Sequence, residues 1–278
     1  KDLDNSKKEE NKNINLITDP WIEGTVFHDG WSLLSETKFK YDDFKNITHI
    51  WFSHEHPDHF FPPNIKSIPS DYRKNITVLY QKTNDKKVVE FCEKLNFKDV
   101  IELNPNETYN LSNKFEIINA TFGHDSWLYV KTDLISCLNT NDCVVDTVEK
   151  AEKIHNITSD IDVLLTQFSY ASKHGNENQP ELRIKAASDK VDQIKIHFEV
   201  FKPKYFIPIA SFIWYSHEEN FYMNDNVNSI EKIANFSLQN NVQPIVLYPS
   251  DEYQIGIKHD NTISVNNYLK DMDNIKLQ

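Results

Sequence analysis

Glycine is scarce in this chain, at 5 of 278 residues. A glycine-rich loop cradling phosphates is therefore not expected. Cysteine is scarcer still. Cys92, Cys137 and Cys143 are scattered and odd in number. They form no C-x-x-C pair and no disulfide framework, which fits a reducing, cytoplasmic compartment. No run approaches the roughly 18 apolar residues of a membrane span. The stretch Lys1 to Lys12 is polar and charged and holds no signal-peptide hydrophobic core. No membrane partner is expected. Basic residues are outnumbered, 30 Lys and Arg against 42 Asp and Glu, for a net charge of −12. A nucleic-acid partner held through its phosphates is disfavoured by that balance.

Aromatic residues are plentiful. The 17 Phe, 12 Tyr and 5 Trp carry much of the expected core. Residues 1–12 read as a polar tail, and 13–278 as a single domain. Strands are expected over 13–19, 47–53, 76–81, 98–103, 114–122, 127–132, 134–138, 161–168, 204–209 and 243–248. Helices are expected over 84–96, 147–155, 180–201 and 227–240. Asn84 would cap the first, turning Val88, Phe91, Cys92 and Leu95 inward, and Pro180 would open the third. Residues 139–143 read as a polar loop. Two sheets covered by helices on both outer faces would account for this order of elements.

The densest chemistry lies at residues 54–59, His-Glu-His-Pro-Asp-His. It follows the apolar run Thr48-His49-Ile50-Trp51-Phe52-Ser53. In extended backbone, side chains two apart point the same way, so His54 and His56 can grip one ion. Pro57 ends strand pairing. Asp58 and His59 can then serve a neighbouring position. Imidazole suits zinc, iron, nickel and copper, and a carboxylate adds charge and oxygen ligation. A chance cluster on a solvated loop would not require the strand before it.

This H-x-H-x-D-H run resembles the signature of the metallo-β-lactamase superfamily, and the resemblance covers roughly residues 13–258. It implies an α/β fold, the four-layer αββα sandwich, with metal ligands on loops at one edge of the sheets. Nucleases occur in that superfamily, and the acidic balance counts against one here. The resemblance also extends the ligand set. His124, in Gly123-His124-Asp125-Ser126-Trp127, corresponds to the third ligand of the first metal, with Asp125 as an alternative that would support a ligating imidazole. Asp142 matches the bridging aspartate. The last ligand follows a Lys-Pro-x-x-x-Ile-Pro strand in many members. Here Ala210 and Ser211 occupy the expected place after Lys202–Ile209, and His217 is chosen instead. His174 competes for that role and is otherwise a substrate contact or a surface residue.

Asp19-Pro20-Trp21, the Asn141-Asp142-Cys143 loop and Pro208-Ile209-Ala210-Ser211-Phe212 resemble one branch of the superfamily. That branch holds sugar-acid lactonases and the non-Rieske part of CMP-N-acetylneuraminate hydroxylase. The chain has no Cys-x-His and Cys-x-x-His pair, so it houses no Rieske cluster of its own. His28 is a second candidate for substrate contact. The aromatic segments 27–31 and 212–222 are candidates for the wall of a substrate cavity. His49, His155, His197 and His259 are read as structural or solvated.

Two enzyme readings follow, both on a small-molecule substrate. The first is a hydrolase of an acyl, lactone or phosphoester bond. Two divalent ions, zinc, iron or manganese, would activate a hydroxide, with Asp58 or Asp142 as the catalytic carboxylate moving the proton. The alternative is a di-iron, oxygen-dependent oxygenase on the same His/Asp set. Hydrolysis is favoured by its frequency in the superfamily, oxygen chemistry by the displaced His217. A metal-stabilised binding module is a third class. Oligomeric state is open.

Overall fold

A computed structural model describes residues 13–277. The polar tail expected over 1–12 lies outside the described residues. The chain divides into two compact units. The first holds the described residues up to Trp21 together with Tyr41–Leu138. The second holds Ile22–Lys40 and the described residues from Asn139 onward.

In the first unit, four parallel strands pair in the order Leu16–Thr18, His49–Phe52, Thr77–Gln81, Asp99–Leu103. The two central strands, His49–Phe52 and Thr77–Gln81, are buried almost throughout, as the middle of a parallel sheet requires, and the outer two are half-buried. Thr108–Ser112, Phe115–Phe122 and Asp125–Thr132 form an antiparallel meander, with the start of Ser136–Asn141 beside the last of them. Trp51, Leu79 and Leu103 pack against Ile117 and Leu128, all at 0% exposure, so the two sheets share one core. Burying each such aliphatic side chain stabilises the unit by roughly 1.5–3 kcal/mol.

In the second unit, the end of Ser136–Asn141 is followed across the sheet by Val163–Gln167, Tyr205–Ile209 and Gln243–Pro244. The last three are parallel. Helices Val148–Thr158, Pro180–Phe201 and Ile230–Gln239 belong to this unit. Thr147 and Ser229 cap the first and third by accepting from Lys150 N and Lys232 N. The long helix starts at Pro180, as expected, and ends at Lys202 in a left-handed conformation. No helix among the described residues is long and apolar enough to cross a membrane.

Several expectations need correction. The helix assigned to 84–96 begins at Lys87, not after Asn84, because Asp85 Oδ1 accepts the backbone N–H of Lys87 at 2.9 Å. Asn139, Thr140 and Asn141 are not loop. They continue a strand and are buried, and Asn139 Oδ1 accepts from Asn141 N at 3.0 Å. That bond satisfies the Asn141 N–H where it is buried. The strand over 243–248 shrinks to Gln243–Pro244. The elements not expected include Thr108–Ser112, the short helices Pro62–Ser67 and Ser70–Arg73, the helix Thr262–Lys276, and a small antiparallel sheet of Thr25–Val26, Trp31–Leu33 and Ile213–Tyr215.

Candidate metal centre

The first unit gathers its histidines where His49–Phe52 runs out. Asp19 ends the neighbouring strand in a left-handed conformation (φ 44°), which turns its carboxylate back toward Ser53. Oδ1 accepts from Ser53 N at 2.8 Å, and Oδ2 accepts from Ser53 Oγ at 2.7 Å. Because that hydroxyl donates to Asp19, it accepts from His54 Nδ1 at 2.9 Å. His59 Nδ1 donates to Asp19 Oδ2 at 3.0 Å. One carboxylate thus fixes two imidazoles with the proton on Nδ1 and the lone pair on Nε2, the tautomer that ligation through Nε2 needs.

His54 Nε2 lies 2.8 Å from His56 Nδ1 and 3.5 Å from Asp125 Oδ1. The ligand atoms of His54, His56 and Asp125 all fall within 4.8 Å of one another. His59 Nε2 faces Asp58 Oδ2 at 3.2 Å. Atoms sharing an ion at about 2.0–2.2 Å each stand at separations of this order. Asp58 Oδ1 is buried and has no hydrogen-bond partner. Leaving a carboxylate oxygen in that state is costly unless a cation answers it. These residues therefore fit a metal, with His54, His56 and Asp125 on one side and Asp58 with His59 on the other.

Asp125 owes its place to a staple between the two sheets of this unit. Ser126 Oγ donates to Ser53 O at 2.7 Å, and Gln81 Nε2 donates to both Ser53 O and His124 O at 2.9 Å. Gly123 and His124 form the two-residue turn between Phe122 and Asp125, with Gly123 at φ 70°. The His124 side chain is exposed at that turn. The carboxylate of its neighbour, Asp125, is the group beside His54. Asp19, Ser53 and Gln81 escaped sequence reasoning as site residues. The Asp19-Pro20-Trp21 motif was the available signal for the first.

The remaining candidates belong to the second unit. Asp142 is half-buried and accepts from Gln167 Nε2 at 3.1 Å, and the same amide donates to Ala210 O at 3.2 Å. Ala210 is left-handed (φ 54°), and Ser211 Oγ accepts from Phe168 N and Ser169 N. Ala210 and Ser211, standing where a histidine was expected, thus tie two loops together. His217 and His28 line one cavity of about 380 Å³ with segments 27–31 and 215–223. His174 is not among the residues lining it. Its Nε2 meets Ser172 Oγ at 2.8 Å, and burial holds its imidazole below the usual range.

No family model and no curated protein matches the chain. Solved structures do. A single-substitution mutant of CmlA beta-hydroxylase matches at 15% identity and TM-score 0.59, over 85% of this chain and 49% of that one. CmlA from Streptomyces venezuelae, a diiron beta-hydroxylase, matches at 15% identity and TM-score 0.55, over 83% of this chain and 49% of that one. The metallo-beta-lactamase fold protein YhfI from Bacillus subtilis matches at 10% identity and TM-score 0.47, over 77% of this chain and 80% of that one. The chain spans about half the length of the CmlA structures. Its mixed parallel and antiparallel sheets with covering helices are the metallo-β-lactamase fold.

Proposed function

We propose that the chain is a metal-dependent enzyme whose His54–His59 segment and Asp125 hold two metal ions, with iron and oxygen-dependent hydroxylation of a small molecule as the first reading. The observation that carries it is Asp125. Two histidines and one carboxylate with open positions serve non-haem iron oxygenases as well as zinc hydrolases, and an oxygen ligand suits iron better than a third imidazole would. Sequence alone favoured hydrolysis, and this carboxylate reverses the order. That CmlA, whose fold is shared, is a diiron beta-hydroxylase supports the same reading.

Bound iron would supply one-electron chemistry with oxygen. The residues supply the rest. His54 and His59 carry their proton on Nδ1 because Asp19 holds that side of each ring, through Ser53 for His54. Asp58 has an oxygen free to ligate or to take a proton. A zinc hydrolase is the second reading, favoured by that same Asp58 oxygen as proton acceptor. Asp142 and His217 remain candidate ligands from the resemblance. Their alanine variants should lose bound metal if the assignment is right.

Oxygen uptake tests the proposal. Protein loaded anaerobically with ferrous ion should consume oxygen when supplied with a two-electron reductant, and Asp125→Ala should not. Ester or lactone hydrolysis by zinc-loaded protein, with no oxygen uptake by the iron form, would favour the second reading.

A further inference from the structure

The cavity lined by His28 and His217 has features that core packing does not need. Its lining residues all belong to the second unit. Its volume, about 380 Å³, lies in the range of small-molecule sites.

The walls are aromatic. Trp31 meets Phe27 edge-on at 4.5 Å between ring centroids and Tyr215 edge-on at 5.7 Å. Tyr222 is held by its surroundings. The buried guanidinium of Arg183 lies 4.9 Å over its ring, and its hydroxyl donates to Gly175 O at 3.2 Å. Met223, 1% exposed, is also part of the lining. Planar rings stack readily on such surfaces.

The mouth is strained. Phe27, His28 and Asp29 take φ of 54°, 56° and 62°, three consecutive non-glycine residues in the left-handed region. Such a run persists only where its surroundings over-determine it, and strain of this kind gathers at ligand sites. The surroundings are explicit. Ser216 Oγ donates to Asp29 O at 2.7 Å, Ser216 N to Gly30 O at 2.9 Å, and Asn220 Nδ2 to Gly30 O at 2.9 Å. Residue 30 must be glycine, since a Cβ there would stand 2.8 Å from Phe27 O. The turn brings Phe27 and His28 to the cavity, and the loop that clamps it brings His217 and Glu219.

Polar groups sort the ligand further. Lys173 and His28 are exposed and line the same cavity. With His217 they outnumber the one carboxylate, Glu219. A free cation would suit the aromatic faces but would meet the Lys173 ammonium. An anion would be met by it.

We propose that this cavity binds a small planar aromatic acid, its ring against Trp31 and Tyr222 and its carboxylate toward Lys173 and His28. The inference rests on the cavity alone and not on the metal reading.

Equilibrium dialysis of chelator-treated, metal-free protein with labelled phenylacetate tests it, with phenylacetamide and tetramethylammonium as comparisons. The expected result is saturable binding of one phenylacetate, weakened about tenfold in Lys173→Met and in His28→Asn. Asparagine tolerates the left-handed backbone at position 28, and both side chains are exposed, so folding is kept. Phenylacetamide should bind more weakly and be insensitive to both changes. Absence of saturable phenylacetate binding, equal binding by Lys173→Met, or preference for tetramethylammonium would each overturn the proposal. Because no metal enters the titration, failure of the metal reading leaves its outcome unchanged.

Discussion

The carboxylate of Asp19 accepts the Nδ1–H of His59 at 3.0 Å, while Nε2 of the same ring faces Asp58 Oδ2 at 3.2 Å. Through Ser53, the same carboxylate also orients His54. Asp19→Ala should therefore lower metal affinity about 10–100-fold without removing a ligand. Asp19→Asn, which keeps one accepting oxygen, should fall between. Competition with a chromophoric chelator measures both. Unchanged affinity in Asp19→Ala would show that the imidazoles need no such support.

Asp125 should set metal choice. Asp125→His replaces a hard oxygen ligand by imidazole and should raise zinc content relative to iron in protein from one culture medium. Asp125→Ala should lower total metal. Elemental analysis reads both. An iron-to-zinc ratio identical in the parent and Asp125→His would remove the argument from the carboxylate.

His197 gives a pH dependence of stability. It is fully buried, its Nε2–H donates to Val145 O at 3.0 Å, and its Nδ1 has no partner. Burial holds its pKa down to about 4, against 6.5 for an ordinary imidazole. The unfolded chain takes up the proton first as pH falls. The stabilising contribution is thus complete above pH 6.5 and is lost between 6.5 and about 4. The shift corresponds to about 3 kcal/mol. Denaturant unfolding at pH 7 and pH 4.5 should show a smaller drop in His197→Gln than in the parent. Equal drops would mean that His197 does not carry the dependence.

Arg183 is 1% exposed in its side chain and forms paired bonds to Asp225, Nε–Oδ1 and Nη2–Oδ2, at 2.7 Å each. It also donates to the carbonyls of Asn176, Glu177 and Gln179. The guanidinium holds the Asp225 carboxyl below its usual range. Asp225 is 39% exposed, so water takes up its carboxylate in Arg183→Ala, and the cost falls on the three carbonyls that lose their donor. Arg183→Ala should destabilise by about 1–3 kcal/mol, read by chemical denaturation. A change below about 0.5 kcal/mol would show the pair to be ornamental to stability.

The fold was legible where residues repeat with a clear period. His49–Phe52, Thr77–Gln81 and the helix from Pro180 to Phe201 fall where apolar pattern and a first-turn proline place them. It was illegible where side chains substitute for pattern. Asn139–Asn141 end a buried strand with an asparagine side chain satisfying a backbone N–H, and no hydrophobic alternation announces that. In the site, the spacing of His54, His56, Asp58 and His59 was visible because they share one segment. Asp125 stands beside His54 only because Ser126 and Gln81 tie distant strands together, and such a tie leaves no local signal. His124, the next histidine along the chain, lies exposed at the hairpin turn.

The central claim is a metal centre of His54, His56 and Asp125 beside Asp58 and His59. Its most direct test is the metal content of protein purified without added metal, with an optical spectrum before and after anaerobic reduction. The account predicts about two iron atoms per chain with a charge-transfer band that changes on reduction, and loss of metal in His54→Ala. Only trace metal, or bound metal that His54→Ala and Asp125→Ala leave untouched, would contradict it.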